Sequence, residues 1–70
     1  MTQRDKEILT AFAESSMNAA LASRKLFLHR NSVVYHLQKV KEETGLDPYN
    51  LFHLAELLGW KRRDNNETNP

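Results

Sequence analysis

Arg30, Asn31, Ser32, Val34, Tyr35 and Gln38 fall within nine consecutive residues, and together they carry the functional groups that read duplex DNA. The amides of Asn31 and Gln38 match the N6/N7 edge of adenine, and the Arg30 guanidinium matches guanine O6/N7 or a phosphate. Val34 can rest on a thymine methyl, while the hydroxyls of Ser32 and Tyr35 suit phosphate oxygens. Arg24, Lys25, Lys39 and His29 lie around this set as candidate phosphate contacts, Lys39 as one that acts alike on every sequence.

This chemistry works only if one side of a helix carries it and the other side is held. Val33, Leu37 and Val40 recur at helical spacing and predict a helix from about residue 30 to 44, facing inward on that side. Asn31, Val34, Tyr35 and Gln38 then face out. Gly45 stands where a helix ends in a left-handed residue. Upstream, Asn18 caps a short helix over about 19 to 25, whose Ala19, Ala22, Ser23 and Leu26 make a narrow face that another helix can approach closely. Phe27-Leu28-His29 separates the two. A short helix, a tight turn and a longer helix form the arrangement of a helix-turn-helix, whose second helix lies in the major groove.

Thr2 with Asp5 three positions on predicts an N-cap and first-turn acid for a first helix over 3 to 14, with Ile8, Leu9 and Phe12 on its core side. Asp47-Pro48 predicts the start of a fourth helix over 48 to 58, with Leu51, Leu54, Ala55 and Leu58 as its apolar stripe and Gly59 as its stop. Residues 61–70 have no apolar side chain and are expected to form a disordered polar tail after a domain spanning 1–60. The fold class is therefore all-α, a small four-helix helix-turn-helix domain.

The charge pattern supports an anionic partner. The net charge of the 70 residues is only +1. From Ser15 to Lys41, however, twenty-seven residues contain no Asp or Glu, while Arg24, Lys25, Arg30, Lys39 and Lys41 contribute +5. The rest of the chain holds five basic and nine acidic residues. One short basic cluster is commonly a solvated helix face; exclusion of acids over twenty-seven residues, most of a two-helix motif, is what phosphate binding requires.

The stretch from Leu26 to Leu37, Leu-Phe-Leu-His-Arg-Asn-Ser-Val-Val-Tyr-His-Leu, continuing through Thr44-Gly45-Leu46-Asp47-Pro48, resembles the C-terminal DNA-binding domain of PucR-type (CdaR-like) bacterial transcription regulators, itself similar to the helix-turn-helix of Fis. The resemblance covers about residues 6 to 58. It implies a recognition helix from Arg30 to Thr44, Ser23 in the small-residue slot between the motif helices, and a dimer on DNA. In the family, arginine is common where this chain has Val34 and His36, and a basic residue is frequent at Gln38, so weaker phosphate contacts are expected. The family carries this domain behind a long sensory region, which leaves an excised domain or a freestanding regulator as alternatives.

Other functions fare worse on the same residues. There is no cysteine, and His29 and His36, seven apart, lack an evident third ligand, so neither a metal nor a cofactor is expected. Glu42, Glu43 and Asp47 accompany no nucleophile-and-base pair and no phosphate-binding glycine loop, which argues against an enzyme. No apolar run reaches the ~20 residues of a membrane span and no signal-peptide core follows Met1, so a cytoplasmic chain is expected.

The rival reading is a protein-interaction module without DNA binding. Leu51, Phe52, Leu54, Leu57, Leu58 and Trp60 exceed what one helix stripe buries in so small a domain, and Phe52 and Leu57 are expected to stay outside. In the DNA-binding reading the same surplus serves a homodimer through Leu54, Leu57, Leu58 and Trp60, which places two recognition helices about 34 Å apart on successive major-groove faces.

Overall fold

A computed structural model describes residues 1–59 as four helices: α1 (Gln3–Glu14), α2 (Ala19–Leu26), α3 (Arg30–Thr44) and α4 (Leu51–Leu57), with no strand among the described residues. Trp60 and the expected polar tail over 61–70 lie outside the described residues.

The first helix starts where Thr2 and Asp5 form a capping box. Thr2 Oγ1 accepts from the Asp5 N–H at 3.1 Å and Asp5 Oδ2 accepts from the Thr2 N–H at 2.9 Å. It ends at Ser15, and two left-handed residues, Ser16 (φ 57°) and Met17 (φ 61°), turn the chain back. Asn18 Oδ1 then accepts from the Leu21 N–H at 3.1 Å and opens α2.

Small side chains bring α2 close to its neighbours. Ala22 and Ser23 are buried, and the Ser23 hydroxyl satisfies itself by donating to the Ala20 carbonyl at 2.7 Å. Helices α1, α2 and α3 pack pairwise around one core of Ile8, Leu9, Ala11, Phe12, Ala22, Val33, Leu37 and Val40, to which α4 adds Leu54.

The turn between α2 and α3 closes with the two hydrogen bonds of a Schellman motif: the Phe27 N–H donates to the Arg24 carbonyl at 3.3 Å and the Leu28 N–H to the Ser23 carbonyl at 2.8 Å. Phe27 therefore sits in the left-handed region at φ 57°, a position that favours glycine and costs a side-chain residue on the order of 1 kcal/mol. His29 caps α3, its Nδ1 accepting from the Asn31 N–H at 3.0 Å. Gly45 ends α3 at φ 78°, as the sequence predicts.

The fourth helix departs from expectation. It starts at Leu51 rather than at Pro48, because Asp47 and Asn50 compete as caps and Asn50 wins. Asp47 Oδ1 takes the Tyr49 N–H at 3.0 Å in a tight turn, whereas Asn50 Oδ1 receives both the Phe52 and His53 N–H groups at 2.9 and 3.2 Å. The turn is fastened by the Asp47 N–H donating to His53 Nδ1 at 3.0 Å and by Tyr49, whose ring meets Phe12 edge-on with centroids 5.2 Å apart.

With the later start, Leu51 leaves the expected stripe and is 62% exposed, while Phe52 is 71% exposed as anticipated. Leu57, expected outside, is half-buried against the core together with Leu58. Leu54 is fully buried in this chain's own core, which removes it from any interface between chains. No helix among the described residues is long and apolar enough to cross a membrane.

Candidate nucleic-acid interface

Helix α3 divides as its spacing predicts. Val33, Leu37 and Val40 are buried, and Asn31, Ser32, Val34, Tyr35 and Gln38 are exposed, Tyr35 by 63%. Because α1 and α2 hold the buried side, the exposed side is fixed in direction, and a groove-reading helix needs that rigidity. Its N-terminal N–H groups add a partial positive charge at the end that bears Arg30.

The candidate residues differ in how free they are. Arg24 and Arg30 are exposed and make no ion pair among the described residues. Lys25 meets Glu14 of α1 at 3.2 Å with both side chains about half exposed, a pairing weak enough to yield to a phosphate. The Gln38 amide donates to Glu42 Oε2 at 3.3 Å, so reading a base there requires breaking that contact. His29 spends Nδ1 on the helix cap and keeps only its other ring nitrogen for a ligand.

Lys39 does not point where the sequence reading placed it. Its Nζ lies 3.3 Å from Asp5 Oδ2 and its side chain is 25% exposed, drawn across to α1 instead of standing free for a phosphate. His36 does the same, with Nδ1 2.7 Å from Asp5 Oδ1. Asp5, read from the sequence as a helix-starting acid alone, is a buried carboxylate shared by the α1 cap and two side chains of α3. Burial by itself raises its pKa. The hydrogen bonds from the Thr2 backbone, His36, the Thr2 side chain and Lys39 outweigh that and hold the group well below the usual carboxylate range.

Asp5 thus balances charge that the outward face of α3 does not use, and it ties α3 to the first turn of the fold. No local signal reveals this, because His36 is 31 residues from Asp5 in sequence and Lys39 is further still. The three histidines have separate structural roles: a cap at His29, a carboxylate at His36 and a loop N–H at His53. Among the described residues no group of His, Asp and Glu is placed to hold a metal ion.

No solved structure matches the chain. A curated relative, the uncharacterized protein YxkF of Bacillus subtilis (strain 168), is 38% identical over 42 residues, which is 60% of this chain and 14% of that protein's length. The PucR C-terminal helix-turn-helix domain matches residues 6–58, a span that takes in α2, the turn, all of α3 and α4. On that match, and with the helical architecture that accompanies it, the chain belongs to the PucR C-terminal helix-turn-helix domain family.

Proposed function

We propose that this chain binds double-stranded DNA with sequence preference, as the DNA-binding part of a cytoplasmic bacterial transcription regulator, by laying α3 in the major groove. The observation that carries the reading is the carboxylate-free outward face from Arg30 to Gln38, fixed by a buried face that packs on α1 and α2. Arg30 anchors a guanine or a phosphate, Asn31 and Gln38 read adenine, Val34 meets a thymine methyl, and Ser32 and Tyr35 hold the backbone. Arg24 and Lys25 at the end of α2 take phosphates where that helix crosses the strand. Lys39 is a positioning residue in this account, engaged with Asp5. Selection of binding sites from a random duplex pool tests the reading: a recurrent motif rich in adenine is expected, and an unenriched pool with the protein folded contradicts it.

A second reading is favoured by one observation. Tyr49, Leu51 and Phe52 are exposed together at the start of α4, an apolar group suited to a second copy of the chain or another protein. In the DNA-binding account it serves the homodimer in place of the buried Leu54; an adaptor without DNA binding would use it alone.

A further inference from the structure

Phe27 combines two unfavourable features. It occupies a left-handed position at φ 57°, where the turn of such a motif often has glycine, and its side chain is 96% exposed. Strain at a buried aromatic can be offset by the area it buries; here the ring buries almost nothing within the chain. Nor does the turn need a ring, since its geometry comes from the Phe27 and Leu28 N–H groups bonding to Arg24 and Ser23. The left-handed turn belongs to the fold, but the exposed ring on it does not: an aromatic side chain kept where glycine would cost less points to a ligand.

The surroundings indicate which kind. Phe27 lies between Arg24 and Lys25 on one side and Arg30 on the other, inside the twenty-seven residues that contain no carboxylate. A protein partner recognised through an apolar residue would not call for that charge; a polyanion with apolar faces on its backbone would. The turn also joins the helix that crosses the strand to the helix that enters the groove, which puts it at the groove's lip. We infer that Phe27 packs its ring on a deoxyribose of the DNA backbone beside the end of α3, adding a contact that is apolar and independent of sequence. The inference rests on the chain being a duplex binder, and it deepens that reading by naming the sugar as what the turn recognises.

The strain gives the test two opposed signs. Phe27→Gly relieves the left-handed position and should raise the Tm by several degrees, while DNA binding weakens about fivefold through loss of half-buried ring area. Phe27→Asn, which also tolerates the conformation, should weaken binding to a similar extent, and Phe27→Tyr should bind like the parent. The probe is a labelled mixed-sequence duplex, because a sugar contact exists on any sequence. The salt dependence should stay the same in all three variants, since a ring releases no counterion. Glycine and asparagine variants that bind as tightly as the parent overturn the placement of Phe27, and so does a changed salt dependence. A parent chain that binds no duplex at low salt overturns the DNA reading itself, a result distinct from either.

Discussion

His36 Nδ1 stands 2.7 Å from Asp5 Oδ1, so the middle of α3 is fastened to the first turn of α1 through a carboxylate that solvent does not reach. Lys39, one turn further along α3, holds the other carboxylate oxygen at 3.3 Å. Asp5 therefore orients α3 about its axis as well as starting α1, which the base-reading role proposed for α3 requires.

Replacing Asp5 with Asn keeps the size of the side chain and removes its charge. Because His36 and Lys39 are partly exposed and can rehydrate, the expected loss is about 1–3 kcal/mol, below the cost of stranding fully buried charges. For a domain of this size that is a fall in Tm of about 4 °C at the least, read from a thermal melt. A variant melting with the parent would show that the shared carboxylate holds nothing.

The same group makes stability depend on acid. A carboxylate whose folded pKa is depressed contributes stability that is present above its unfolded value, about 4, and that is lost as pH falls toward the folded one. Urea midpoints should therefore drop from about pH 5 downward. Asp5→Asn should flatten this decline, and equal acid sensitivity in parent and variant would contradict the assignment.

Lys39→Ala and Arg30→Ala should behave differently. Loss of Lys39 should lower the Tm with the salt dependence of DNA binding unchanged, since its ammonium is engaged with Asp5. Loss of Arg30, exposed at the helix start, should leave the Tm alone and weaken DNA binding by about 1–3 kcal/mol. Binding isotherms with a melt for each variant separate the two roles, and a reduced salt slope for Lys39→Ala would return it to the phosphates.

Oligomeric state is tested at Phe52 rather than Leu57. Leu57 packs half-buried against the core, so a charge there is expected to destabilise the fold as well as any interface; Phe52 is 71% exposed and is expected to tolerate one. If α4 joins two copies, Phe52→Glu should halve the mass seen by sedimentation while the helical signal persists. An unchanged mass removes α4 from the interface.

What the sequence reveals is what local chemistry decides. The Thr2 and Asp5 pair, Asn18 and Gly45 set the bounds of α1, α2 and α3 through contacts a few residues long, and periodicity separates the two sides of α3. The start of α4 is less legible because Asp47 and Asn50 are both competent caps, and only the turn they share decides between them. The position of Phe27 cannot be read from its residue type, which argues against a left-handed turn. The engagement of Lys39 and His36 depends on packing α1 across α3, and no pattern along the chain encodes that directly.

The most direct measurement of the central claim is duplex binding by the parent chain and by Arg30→Ala at about 50 and 200 mM salt. With Arg24, Lys25 and Arg30 as the phosphate-reaching groups of each chain, the log–log salt slope per chain should be about −2.7, a loss of roughly fortyfold across that range. The arginine variant should bind more weakly at both salts. No binding at the lower salt by the folded parent, or binding indifferent to Arg30, would contradict the account.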